Sequence, residues 1–184
     1  MTMKKINLYI LAIISLLILE SCKEPQARKP ISHSSGTFMK ESVERNKKLI
    51  KSEEAQIDSI IKSNPKINYF ASQKGYWYHY EIKNNTDTIR PKKGDIAYFD
   101  YEIKDIKGKI IYSKEELKPQ TYIVDKQNIM MGLRNGIKLM HKNEKVTFLF
   151  PSHSAFGYHG DNKKIGTNEP LICTVTLNDF KTEN

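Results

Sequence analysis

Candidate bases and nucleophiles gather in one short segment, Pro151-Ser152-His153-Ser154-Ala155-Phe156-Gly157-Tyr158-His159. A metal site needs three or four ligands at suitable spacing, and no Cys or carboxylate stands in such a register with His153 and His159. The two histidines therefore read as solvated loop residues rather than as ligands or a general base. Ser152 and Ser154 lack the Gly-flanked turn that exposes a catalytic serine, which leaves hydrolase chemistry unsupported. Cys173 alternates with Leu171, Val175 and Leu177, so it is a small inward hydrophobe rather than a reactive thiol. What remains for chemistry is a set of apolar and aromatic side chains, and the elements that position them decide what they can do.

The second cysteine, Cys22, has a different setting. Lys4 and Lys5 precede an apolar run, Ile6 to Leu19, which is too short for a bilayer span and has the charged-then-apolar order of a secretory signal. The run ends Leu19-Glu20-Ser21-Cys22, which resembles the lipobox of bacterial lipoproteins, with Glu20 where a small or apolar residue is usual. The expectation is a lipoprotein signal peptide over 1–21 and acylation of Cys22. Several acyl chains on one residue hold a protein stably on a membrane, at about 0.8 kcal/mol per buried methylene. The expected location is the outer membrane, facing the periplasm. With Cys22 acylated, Cys173 has no disulfide partner, and stability must come from packing.

A length of 184 residues with 39% hydrophobic and 10% aromatic content supports one ordinary domain plus attachments and excludes general disorder. Removal of residues 1–21 takes away two lysines and one glutamate and lowers the formal charge from +9 to +8. The lysines are spread in pairs, Lys47-Lys48, Lys92-Lys93 and Lys163-Lys164, without a dense basic stripe. A basic surface near a membrane fits this spread better than nucleic-acid binding.

Residues 22–36 are polar and carry Pro, Ser and Lys, the composition of a flexible tether. From Thr37, a candidate N-cap, residues 37–65 form an expected N-terminal helix: Met39, Val43, Ile50, Ile57, Ile60 and Ile61 make a stripe interrupted at Asn46 and Glu53, and Pro65 ends it. This helix either packs on the domain or mediates self-association through residues 37–63. The domain itself, 66–184, is strand-rich. Tyr76 to Ile82 alternates, and in Ile96 to Ile103 the residues Ala97, Phe99, Tyr101 and Ile103 share one face, with Asp100 and Glu102 on the other. Lys107-Gly108-Lys109 turns the chain into Ile110-Ile111-Tyr112. A short helix opened by Asn128 aligns Ile129, Leu133, Ile137 and Met140, with Gly132 and Gly136 beside them for close approach to a sheet. Strands at 145–150 and 171–177 complete an α+β domain.

In this order and at these spacings the motifs resemble the FKBP-type peptidyl-prolyl cis-trans isomerases. The resemblance covers about Gly75 to Phe180 and is carried by Gly75-Tyr76-Trp77-Tyr78, Gly94-Asp95, Met131-Gly132-Leu133-Arg134-Asn135-Gly136, Ala155-Phe156-Gly157-Tyr158-His159-Gly160 and Ile165-Gly166-Thr167-Asn168-Glu169-Pro170-Leu171. Together with the lipobox it resembles the isomerase lipoproteins associated with gliding motility. The resemblance implies a half-open antiparallel sheet wrapped around the short helix, no cofactor or metal, and proline-containing polypeptides as substrates. It implies a pocket in which Tyr101, Phe156 and the Met130 backbone N–H are catalytic, and Ile111, Tyr122, Ile129, Leu133, Ile165 and Cys173 bind substrate. Leu133 stands where many members carry Trp and Cys173 where they carry Phe. Ile111-Tyr112 replaces Phe-Asp, removing a pocket carboxylate, and Phe156 replaces a hydroxyl-bearing Tyr.

An apolar pocket suits this reaction. The X-Pro barrier of about 18–20 kcal/mol arises because amide resonance is lost in the twisted state. The twisted carbonyl is less polar, so a dry apolar surface disfavours the planar amide more than the twisted one. Two functions stay open, an isomerase assisting folding of exported or envelope proteins, and a binding module or chaperone of the same fold without useful turnover. The retained apolar positions favour the first, Tyr112 and Phe156 the second.

Overall fold

Apolar and polar residues alternate from Ile96 onward, and that pattern builds the strand on which the rest of the sheet is assembled. The structure is a computed structural model that describes residues 35–182. The expected signal peptide over 1–21, Cys22 and all but the last residues of the expected tether lie outside the described residues. The element order is α1 (Ser35–Ser63), β1 (Phe70–Ala71), β2 (Trp77–Ile82), β3 (Ile96–Asp105), β4 (Ile110–Tyr112), α2 (Lys114–Leu117), β5 (Gln120–Ile123), α3 (Met131–Ile137), β6 (Lys145–Phe150) and β7 (Leu171–Lys181).

The strands form one antiparallel sheet in the order β1-β2-β6-β7-β3-β4, with β5 also paired to β3. β3 and β7 are its spine, in register from Ile96 opposite Lys181 to Asp105 opposite Leu171, with a bulge at Tyr98/Phe99. Ala97, Phe99 and Ile103 turn one way into the core. Asp100 turns the other way yet is also buried, because the Lys114 ammonium at the start of α2 lies 3.1 Å from its carboxylate and the Asn178 amide donates to it at 2.9 Å. α2 is capped by the Ser113 hydroxyl, which accepts from the Glu116 N–H. These short elements, α2, β1 and β5, have no extended periodic signature in the sequence.

The core side of the sheet is covered by α3. Gly132 and Gly136 lie against the sheet, where an added Cβ would stand 2.6 Å from the Phe150 ring and 2.8 Å from the Phe148 ring. The two phenylalanine rings stack on each other with centroids 5.3 Å apart. Only a bare backbone allows this approach, and it buries Leu133 and Ile137 against the sheet. The helix begins at Met131, not at Asn128, and Met130 occupies the N-cap without a side-chain hydrogen bond. Its anchorage comes from the turn before it: Asp125, at φ 57°, receives Arg134 at 2.7 Å and Lys138 at 3.0 Å.

Residues Glu41–Asn184 form one compact unit, and Ser35–Lys40 belong to another. Within the larger unit α1 is mostly solvated, but Glu53 and Ile57 are buried. The break in the apolar stripe at Glu53 is thus a packed position, not a gap. Full burial of an Ile contributes about 1.5–3 kcal/mol.

Candidate active site

The nine residues predicted to line a pocket fall in a single hydrophobic cluster. They divide by exposure. Tyr122, Leu133, Ile165 and Cys173 are buried; Tyr101, Ile111, Ile129, Met130 and Phe156 are partly exposed and packed against the same cluster. β3 supplies Tyr101, β4 supplies Ile111, β5 supplies Tyr122, β7 supplies Cys173 and α3 supplies Leu133, with Met130 at its cap. The ring of Phe99 lies 5.5 Å from that of Tyr101, tilted at 41° to it. The Tyr122 hydroxyl accepts the Asp125 N–H at 2.9 Å, so this tyrosine holds the turn that anchors α3.

Phe156 and Ile165 arrive on the long connection between β6 and β7. Two short helical turns, Ser152–Ser154 and Gly157–His159, shape its first part. The Asn168 N–H donates to the Gly157 carbonyl at 2.8 Å, and the Asp161 N–H to the Ile165 carbonyl at 3.1 Å, which ties the two halves of the connection together. The Asp161 side chain accepts from the N–H groups of Lys163, Lys164 and Ile165 at 2.9, 3.0 and 2.8 Å. Its other oxygen receives the Tyr112 hydroxyl. A carboxylate therefore does reach Tyr112, from the loop and not from the strand. Sequence reasoning missed Asp161, although Asp in a loop commonly hydrogen-bonds the backbone N–H two residues on, as it does here with Lys163.

Electrostatically the cluster is quiet. Burial pushes the Tyr101 hydroxyl above its ordinary range, with Cys173 a smaller cause. Burial also pushes the Cys173 thiol far up, and Glu102 adds to this, so the cysteine stays neutral and unreactive. His153 and His159 are exposed, the latter edge-on to Tyr158 with centroids 5.6 Å apart. Among the described residues no three His, Cys, Asp or Glu are grouped to hold a metal. A groove of about 410 Å3 adjoins the cluster, lined by Asp105, Lys109, Ile110, Ile111, Lys164 and Glu169. A larger concavity of about 710 Å3, between residues 87–92, Lys138 and His141, contains none of the nine; Ile89 and Pro91 share its lining with Asp87, Arg90, Lys92 and Lys138.

The arrangement presents apolar and aromatic surface, with the Lys164 ammonium at its edge donating to the Ile111 carbonyl at 3.3 Å. It offers neither a nucleophile–base pair nor an acid–base pair among the nine residues. Residues 87–178 match the sequence pattern of the FKBP-type peptidyl-prolyl cis-trans isomerases. No curated protein is similar to the chain in sequence. Among solved structures, a peptidyl-prolyl cis-trans isomerase from Pseudomonas syringae pv. tomato is similar at 18% identity with a TM-score of 0.60, over 74% of this chain and 96% of that one. FkpA from Escherichia coli is similar at 20% identity, also with a TM-score of 0.60, over 95% of this chain and 81% of that one.

Proposed function

The chain belongs to the FKBP-type peptidyl-prolyl cis-trans isomerase family, and on that basis we propose that it isomerises X-Pro bonds in exported or envelope polypeptides by desolvation, without an acid, base or nucleophile. The single observation that carries this mechanism is the apolar cluster, with buried and half-exposed side chains contributed by five separate elements. The proline ring enters between Tyr101, Ile111 and Phe156 and rests above Leu133 and Cys173. The Met130 N–H donates to a carbonyl of the substrate, holding it while the preceding amide twists. No proton moves and no bond breaks. Rate is gained because the twisted, less polar amide loses less on leaving water than the planar one, at about tenfold per 1.4 kcal/mol of difference.

The setting follows from the N-terminus. The Lys4-Lys5 and apolar order, then Leu19 to Cys22, support export and a lipid anchor on Cys22. The same combination supports a role beside the isomerase lipoproteins of gliding motility. Exposed Phe38, Met39, Val43 and Ile50 on α1 support self-association through residues 37–63.

Two-dimensional exchange NMR on X-Pro peptides tests the reading directly, because it detects cis–trans turnover at equilibrium. Exchange cross-peaks that grow with enzyme are expected. A folded protein that binds proline-containing peptides without accelerating exchange would select the binding-module reading, which Tyr112 and Phe156 favour.

A further inference from the structure

Glu53 is a buried charge that the isomerase reaction does not use. It lies on α1, outside residues 87–178 that carry the family pattern, and only 2% of it is exposed. One carboxylate oxygen accepts the Ser152 N–H at 2.8 Å and the other accepts the Ser152 hydroxyl at 2.6 Å. Ser152 is itself 3% exposed. A carboxylate is costly to bury unless its oxygens are satisfied, and both are satisfied here by a single residue 99 positions away.

Ser152 is also well placed to matter. It opens the helical turn after Pro151, whose carbonyl accepts the N–H groups of Ser154 and Ala155 at 2.9 and 3.2 Å. That turn leads straight to Phe156, which is partly exposed and packed against the cluster. Ile57, one helical turn beyond Glu53, is fully buried and fixes the helix at the same face. The carboxylate thus grips the first free N–H of the turn, the position where an acceptor is otherwise lacking.

We propose that Glu53 is a positioning residue for the isomerase reaction: by holding Ser152 it sets where Phe156 stands, which makes α1 part of the active-site framework. This rests on the function proposed above, and the two are separable by experiment. Full-length Glu53→Ala, Glu53→Gln, Glu53→Met and Ser152→Ala are compared by exchange rate on an X-Pro peptide and by the amide resonances of Phe156 and Gly157. Glu53→Ala is expected to lower kcat/KM at least fivefold and to shift both resonances. Glu53→Gln can accept the Ser152 N–H through its amide oxygen and donate to the hydroxyl through its NH2, so it is expected to return the rate to within twofold of wild type, with wild-type resonances. A folded Glu53→Ala with wild-type rate and resonances overturns the proposal, as does a Glu53→Gln as impaired as Glu53→Ala. If Glu53→Ala does not fold, Glu53→Met, which keeps the bulk and removes both acceptor oxygens, decides, and unchanged rate and resonances there overturn it; Ser152→Ala isolates the share of the hydroxyl. Absence of turnover in the wild type would remove the proposed function, while the Phe156 and Gly157 resonances would still decide whether Glu53 places the loop.

Discussion

The Tyr112 hydroxyl donates to the Asp161 carboxylate and joins β4 to the loop that carries Ile165. The Lys164 ammonium completes the junction, 4.6 Å over the Tyr112 ring and 2.5 Å from Glu116. The hydrogen bond to Asp161, helped by burial, pushes the Tyr112 hydroxyl up to about 12. Burial alone would raise Asp161, but the Tyr112 hydroxyl and three backbone N–H groups outweigh it and hold the carboxyl below its usual range.

Tyr112→Phe should therefore destabilise the domain by about 1–3 kcal/mol near neutral pH, as read by urea unfolding. The signs fix the window. Tyr112 is raised, so its contribution is complete below about pH 10 and disappears as pH rises toward 12; Asp161 is depressed, so its contribution is complete above about pH 4 and disappears on further acidification. The difference between wild type and Tyr112→Phe should be flat from about pH 5 to 9 and narrow at either extreme. A difference that instead changes across neutrality would mean another group controls the junction.

Catalysis by an apolar surface predicts turnover that is flat between about pH 6 and 8, since no lining group titrates there. Leu133→Asp and Ile165→Asp place a charge at buried positions of the cluster and should each reduce activity at least tenfold, about 1.4 kcal/mol, with circular dichroism confirming the fold. His153→Ala and His159→Ala should change little. A bell-shaped profile abolished by either histidine variant would point to acid–base chemistry instead.

Gly136→Ala tests the seating of α3. Its methyl would meet the Phe148 ring at 2.8 Å, and the overpacking should cost about 1–3 kcal/mol in a thermal melt. Wild-type melting would show that the helix stands further from the sheet.

A fragment spanning residues 66–184 should unfold cooperatively, but at a lower temperature than one spanning 41–184. It lacks Ile57, worth about 1.5–3 kcal/mol of burial, and leaves the Ser152 N–H without its acceptor. Broad, non-cooperative melting of the shorter fragment would show that α1 is an integral part of the core.

Cys22→Ser should shift the protein from the membrane fraction to the soluble one. A variant that still sediments with membranes, together with wild type that incorporates no labelled palmitate, would exclude lipid anchoring.

How much of this was legible beforehand depended on whether the signal was periodic. β3 and β7 announce themselves by alternation, and the nine apolar residues of the cluster follow from motif order. β5 and α2 are four residues each, too short for any period to rise above composition. The start of α3 was misplaced because Asn128 has the right side chain for a cap, whereas the anchorage runs through Asp125 and two cations further along the helix. Glu53 looked like a flaw in an apolar stripe because its partner lies 99 residues away, a relationship that no local pattern encodes. Tyr112 looked like the loss of a carboxylate for the same reason, since Asp161 is 49 residues distant.

The outermost strands of the sheet are also its shortest. On one side β1 contributes two residues against β2, and on the other β4 and β5 contribute three and four, with Lys114 beside Asp100 between their pairings on β3. Long unpaired edges recruit other extended chains through their free N–H and C=O groups, and truncating them is a common defence. For a protein whose substrates are proline-containing polypeptides, that defence has a particular value. It lets the isomerase meet exposed strands repeatedly without becoming the template on which they aggregate.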